Sequence, residues 1–272
     1  MHQLALEQRR ELGVRAPWHV GDITWGLRAH EGREREWKIR IWKDGEPTVA
    51  WSWLKGDRGL LELDVRRDRL DLLDEILADP DARAAVAFED DEEVRAALLR
   101  NGFTRDDEAG PTRHGPVMHF LARDLAQAPE LPMLPDGFRF RTVEPDDFAE
   151  RVAIHRDVWA PSRVTEASFA NVQASWPYRA SLDCVVEADG RFAAYCLVWP
   201  DDENRVGELE PVGVREEFRR RGLGAAVCTF ALRRWHEEGG RQAIVYCVDD
   251  AACGLYESIG FRRHATLVGY SR

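Results

Sequence analysis

Residues 216–227, "EEFRRRGLGAAV", set Arg219, Arg220 and Arg221 against Gly222 and Gly224, with Leu223 between them, and run straight into an apolar-periodic segment. Arginines alone describe a solvated helix shoulder. Glycines at the opening of a helix change the chemistry, because the first N–H groups of a helix have no partner within it and a residue without a side chain lets an anion come up against them. Such a loop suits a pyrophosphate. A nucleoside-triphosphate loop would need Gly-Lys-Ser/Thr at the helix start, whereas Gly224-Ala225-Ala226 offers neither ammonium nor hydroxyl. Upstream, Glu208 and Glu210 stand at i and i+2 of a strand pattern, so their carboxyls share one face. Burial, and each other's charge, would raise a carboxyl's pKa and make it a stronger base.

These groups need a strand, a tight loop and a helix to hold them, and the flanking sequence supplies all three. "VGELEPVGV" reads as a strand that ends at the loop, and "GLGAAVCTFALRRWHEEGG" as a helix with apolar residues every three to four positions, closed by a glycine pair. "QAIVYCV" follows as a near-continuous buried strand and "AACGLYESIGF" as a short helix. Before them come a strand at "FRFRTV", a helix at "EPDDFAERVAIHRDVW" and a hairpin turning at Asp189-Gly190. The order is an antiparallel meander, then strand, helix, strand, helix. The dinucleotide fold would instead place its loop after the first strand of a parallel sheet.

"DLAQAPELPMLPDGF", residues 124–138, carries prolines without apolar periodicity and has the composition of a linker. It divides the chain into 1–125, a linker over 126–137, and 138–272. The first part echoes the second. A hairpin turns at Asp44-Gly45, "GLLELDV" (59–65) matches "GELEPVGV", and "EEVRAALLRNGF" (92–103) matches "AACGLYESIGF". The interval from Val65 to Gly102 is nine residues shorter than that from Val214 to Gly260, and the deficit falls where the glycine loop would be.

A chain of 272 residues suits two domains, each able to bury a core. No apolar run is long enough to cross a bilayer and the N-terminus does not have the pattern of a secretory signal, which leads us to expect a cytoplasmic protein without membrane association. A formal charge of −11 argues against nucleic acid as a partner and favours cationic ligands by long-range attraction. The five cysteines, 184, 196, 228, 247 and 253, are odd in number and lack CxxC spacing, so neither a disulfide framework nor a metal site is expected, only buried thiols.

Arg219, Gly222 and Gly224 match the Arg/Gln-x-x-Gly-x-Gly/Ala loop of the GNAT N-acetyltransferases, and "LYESIGF", some thirty residues on, resembles that family's Leu-Tyr-Glu-x-x-Gly-Phe helix. The resemblance covers roughly 138–272. It implies an α/β (α+β) fold of two tandem GNAT-like domains, each a mixed, mostly antiparallel twisted sheet flanked by helices, with the N-terminal copy degenerate. The tandem layout is similar to the branch that includes mycothiol synthase. It implies acetyl-CoA as co-substrate, with the amides of 219–224 on its pyrophosphate, pantetheine between "PVGV" and "IVYCV" beside Val212, Gly213 and Val214, and no metal. Acetyl transfer needs a base for the amine, an oxyanion donor and an acid for the thiolate. The resemblance points to Glu208 or Glu210 as base, the Val212 amide as oxyanion donor, since Pro211 has no N–H, and Tyr256 as acid. At position 249, where the family often has Asn, this chain has Asp, and no cofactor role is carried over. The acceptor is expected to be a small primary amine, the protein a monomer or homodimer. Trp159, Trp176 and Trp199 fall around segments that border the acceptor in the family; His155, His236 and His264 have no ligand spacing. The competing reading is a non-catalytic acyl-CoA-binding sensor or scaffold, which would need the loop but neither the tyrosine nor the carboxylates.

Overall fold

In chain order the elements are α1 (His2–Leu12), α2 (Val20–Arg28), β1 (Trp37–Lys43), β2 (Thr48–Lys55), β3 (Leu60–Val65), α3 (Leu73–Leu77), β4 (Ala84–Phe88), α4 (Glu92–Arg100), β5 (Thr104–Arg105) and β6 (Val117–Asp124). The second half continues with β7 (Phe138–Thr142), α5 (Phe148–Val158), α6 (Glu166–Gln173), β8 (Asp183–Ala188), β9 (Arg191–Asp201), β10 (Val206–Val214), α7 (Leu223–Glu237), β11 (Gln242–Cys247), α8 (Asp250–Ser258) and β12 (Arg262–Ser271). The structure is a computed structural model that describes residues 1–272 except 31, 57, 58, 107 and 109–116.

Local chemistry explains the main elements. The β8–β9 hairpin closes through Asp189 and Gly190, both left-handed (φ 49° and 77°), the two-residue turn whose twist matches its strands. Strands β7 to β10 then form an antiparallel meander. Helix α7 buries Leu223, Val227, Cys228, Ala231, Leu232 and Trp235 along one face against that meander. Trp235 is 1% exposed, and truncating so large a buried side chain would cost about 3–5 kcal/mol.

All strands join one sheet in the order β1-β2-β3-β4-β12-β6-β11-β10-β9-β8-β7, with the short β5 pairing β12. The order has a pseudo-twofold centre. On each side lies a parallel pair, β3 with β4 and β10 with β11, and each is followed by the last strand of the other half. β12 pairs with β4, and its Val268 and Tyr270 complete the first half's core, while β6 pairs with β11. The two halves thus exchange their final strands, and residues 126–137, without regular secondary structure, carry the chain from β6 to β7. The interval without a glycine loop, between β3 and β4, holds a 3-10 turn and the five-residue α3 where the second half has the fifteen-residue α7.

The expectation of thiols only is corrected. Cys247 and Cys253 form a disulfide, with Cα atoms 5.4 Å apart, tying the end of β11 to the first turn of α8. A spacing of six residues is not a recognised pair, but the strand-to-helix turn brings the two together. Cys184, Cys196 and Cys228 are free and buried.

Candidate active site

Strand β10 parts from β11 partway along. The parallel register runs Val206↔Gln242, Gly207↔Ala243 and Glu208↔Ile244, and then stops. The cause is in the sequence: Pro211 has no N–H to give, and the β9–β10 register slips between Leu209 and Val212. The far edge of β11 stays paired to β6 through Cys247↔His119, so the gap opens on the β10 side alone.

At the end of β10 the chain is pinned by Arg215, 3% exposed, whose guanidinium donates to Glu150, Asp157 (2.8 Å) and the Phe192 carbonyl (2.8 Å). After a short turn at 216–218, Arg220 (φ 64°) and Gly222 (φ 76°) are left-handed, and α7 begins at Leu223. A bulky residue in that conformation is uncommon. Left-handed residues next to a helix's unpaired first-turn amides turn several N–H groups toward one anion. Arg219, Arg220, Arg221 and Gly222 are exposed there. The two glycines serve different ends. A side chain at Gly222 would meet nothing within 4 Å, so the left-handed backbone is what requires glycine. At Gly224 a Cβ would lie 2.7 Å from Leu255 Cδ1 and 3.3 Å from Val214 Cγ2, so this glycine lets α7 pack against α8 and β10.

A cavity of about 830 Å³ runs from the gap into the N-terminal half. Glu210, Pro211 and Val212 form one lip, and Tyr246, Asp249 and Tyr256 the other. Trp25, Trp37, Trp53 and Trp159 wall it, with Asp22 beside Glu210. Tyr256, 7% exposed on α8, has its phenol pKa raised well above the ordinary value by burial and then by the neighbouring thiols Cys228 and Cys196, so it holds its proton. Asp249 caps α8, accepting from the Ala252 amide at 2.8 Å.

The two glutamates differ. Glu208 is fully buried beneath α2, where a Cβ on Gly21 would lie 2.3 Å from its Oε2, whereas Glu210 is half-buried and faces the cavity. Both carboxyls are pushed up to about 8, first by burial, then by Glu210 acting on Glu208 and by Asp22 acting on Glu210. Asp22 is raised well above its usual range by burial and by Glu208. Carboxylate oxygens of the three lie within 4.8 Å of one another. Acids so close and so reluctant to ionise are met by shared protons.

Of the tryptophans, Trp159 lines the cavity and donates to the Tyr195 hydroxyl at 2.8 Å, Trp176 lies outside with its ring edge-on to His2, and Trp199 is core. His155 also lines the cavity, bonded to Tyr195 at 2.9 Å and pushed down to about 3 by burial and Arg151, hence neutral. Reasoning from sequence missed the N-terminal contribution, Asp22 and His19 above all. A signal was there: "HVGD" (19–22) has capping-box spacing, and Asp22 accepts from the His19 amide at 2.7 Å.

The profile of the acetyltransferase (GNAT) family matches residues 150–261. A mycothiol acetyltransferase of Amycolatopsis mediterranei is 30% identical over 214 residues, covering 71% of this chain and 67% of that one. One from Streptomyces coelicolor is 29% identical over 146 residues, covering 51% and 47%, so the match spans about half of that relative's length. Among solved structures, a tandem GNAT protein from the clavulanic acid biosynthesis pathway superposes with TM-score 0.68 at 15% identity, covering 100% of this chain and 93% of the other. A GCN5-related N-acetyltransferase from Sphaerobacter thermophilus gives 0.66 at 16%, covering 100% and 90%. These structural likenesses concern the fold. Among the described residues no helix is long and apolar enough to cross a membrane. With the split strand pair, the left-handed loop and the relatives in agreement, the chain belongs to the acetyltransferase (GNAT) family and has its tandem architecture.

Proposed function

We propose that this protein moves an acetyl group from acetyl-CoA to the primary amine of a small-molecule acceptor, by direct attack in a ternary complex. One observation carries the reading: a protonated phenol and a high-pKa carboxyl stand on opposite lips of one cavity, at the point where β10 leaves β11. A sensor would need the loop alone. The amides of 219–224 fit a pyrophosphate because their backbone is left-handed at two positions and exposed. Bound there, acetyl-CoA supplies an acetyl thioester, with pantetheine lying in the gap along Val212, Gly213 and Val214.

Glu210, the carboxyl open to the cavity, takes the proton of the incoming ammonium, and the buried Glu208 adjusts its strength as a neighbouring acid. A carboxyl whose pKa stands near 8 is far better matched to an amine than an ordinary glutamate. The Val212 amide donates to the developing oxyanion. Tyr256 gives its proton to the departing thiolate. The tryptophan walls and acidic floor suit an amine-bearing acceptor with ring or hydroxyl groups, and the amine acetylated by a mycothiol acetyltransferase heads the candidates. Thiol release from acetyl-CoA over a panel of amines tests the proposal. Tight acetyl-CoA binding without thiol release from any amine would replace it with the sensor.

A further inference from the structure

We infer that the degenerate N-terminal half takes part in the chemistry: Asp22 is the third carboxyl of a proton-sharing cluster with Glu208 and Glu210, and His19 is a fixed imidazole that keeps Glu208 in its acid form. The inference rests on the acetyl-transfer reading for its consequence, though not for its geometry. His19 is the N-cap of α2, 1% exposed, and its tautomer follows from its partners. Its Nε2 lies 3.3 Å from the Val206 carbonyl, which can only accept, so Nε2 carries the hydrogen. Its Nδ1 lies 3.1 Å from the Gly21 amide, which can only donate, so Nδ1 presents a lone pair. Glu208 Oε2 sits 3.1 Å from that same lone pair. Two acceptors at that distance repel, and only a protonated Glu208 makes the contact favourable. The imidazole cannot supply the proton itself, since burial and then Arg9 push it down to about 3.

With Glu208 held as an acid, the cluster's negative charge falls to Glu210 and Asp22, the two members that line the cavity. Asp22 is fixed by the His19 amide at 2.7 Å and by the Tyr246 hydroxyl at 3.3 Å. The other Oε of Glu208 is buried without a hydrogen-bond partner among the described residues, an arrangement that penalises the ionised carboxylate more than the neutral acid. The groups that bear on these carboxyls from neighbouring elements are Arg9 of α1, Lys55 of β2, Tyr246 of β11 and Tyr256 of α8, while Asp201 of β9 bears on His19. Arg9 and Lys55 favour a negative cluster from a distance, Arg9 donating to the Gly13 and Trp18 carbonyls and Lys55 pairing with Glu62 at 2.6 Å. Asp22 is therefore a positioning and charge-setting residue for cationic amines, contributed by a half that has no glycine loop.

The experiment uses the full chain as wild type, Asp22→Asn and Tyr246→Phe. Removing one negative neighbour should lower the apparent pKa of the remaining pair by about one unit, so the acid limb of kcat/KM for a cationic amine moves to lower pH while KM at the plateau rises roughly tenfold. Tyr246→Phe takes only the hydroxyl from Asp22, which makes Asp22 harder to ionise, and should move the limb the same way by less. Carbon-13 titration of glutamate and aspartate carboxyls reads the cluster without turnover: wild type should show a glutamate near 8, and Asp22→Asn should bring a second one down. A wild type without any acid titrating above about 6, or a folded Asp22→Asn with unmoved carboxyl titrations and pH profile, would overturn the inference. Should Asp22→Asn not fold, an unmoved Tyr246→Phe overturns it. No thiol release from wild type with any amine, alongside the expected titration shifts, would instead sink the acetyl-transfer reading and leave the cluster standing.

Discussion

Replacing Tyr256 with Phe removes one oxygen from the middle of the site and little else. The ring is 7% exposed and edge-on to Phe261 at 6.0 Å between centroids, and α8 is held by the Asp249 cap and the Cys247–Cys253 bridge, so phenylalanine keeps the packing that fixes the helix. Loss of the hydroxyl should alter stability by no more than about 1 kcal/mol. Acetyl-CoA affinity should hold, because the substitution leaves the backbone amides of 219–224 and the packing around them in place. The rate is another matter. A positioned general acid is worth roughly 10²–10⁴-fold, which is about 2.7–5.5 kcal/mol of barrier. The loss should be the same for good and poor acceptors, since the thiolate departs from the same carbon in each. Burial also has a sign here: the acid must be protonated, its pKa is raised, and the alkaline fall in the wild-type rate should therefore lie above the ordinary phenol value of about 10. Thiol release followed by a thiol-reactive dye, calorimetry with acetyl-CoA and a thermal melt measure the three quantities. Release at the wild-type rate by a folded Tyr256→Phe protein would refute the acid assignment and leave the tyrosine as packing between α8 and the sheet.

The glycines of the loop should separate by assay. Gly222→Ala forces a left-handed alanine and should weaken acetyl-CoA binding with a stability cost of about 1 kcal/mol, whereas Gly224→Ala presses on Leu255 and should cost about 1–3 kcal/mol in a melt; the reverse pattern would contradict both assignments. Calorimetry should find one acetyl-CoA per chain, because α3 offers no counterpart of the α7 loop, and a value of two would be inconsistent with that. Glu208, raised from 4.5 to about 8 in the folded protein, binds its proton more tightly when folded, so its contribution to stability is full below about 4.5 and lost as pH rises through about 8. Glutamine mimics the protonated acid and can donate to His19, so Glu208→Gln should melt higher than wild type at pH 8–9 and near it at pH 5. A difference independent of pH would mean that Glu208 does not titrate in this range.

What could be learned from sequence tracks how local the cause is. The hairpins at Asp44-Gly45 and Asp189-Gly190, the run from β10 to α8 and the break at Pro211 each follow from neighbouring residues, so pattern and turn chemistry found them. β12 was not anticipated. It pairs with β4 and β6, far away in the chain, and nothing within "RRHATLVGYS" announces that partner. The same holds for the site. Glu208 and Glu210 are visible as a pair because i and i+2 share a face, but their different surroundings come from α2, nearly two hundred residues away. The Cys247–Cys253 bridge escaped because its geometry is that of a strand-to-helix turn rather than of a spacing rule.

Strand exchange gives the lost loop a physical context. A half that binds no nucleotide would be free to drift in sequence, yet β6 forms the outer partner of β11 along its whole length, and β11 forms one wall of the gap. Helix α2 seals Glu208, and β2 places Lys55 and Trp53 at the cavity. The first half thus keeps what a wall requires, strands in register and a helix at a fixed height, and lacks only what a phosphate requires. The two halves differ along the line between those two needs: α7 follows a left-handed loop, where the proposed function places an anion, while α3 is a single short turn packed against α4. The buried carboxyls sit where the halves meet, and their reluctance to ionise is a property of neither half alone.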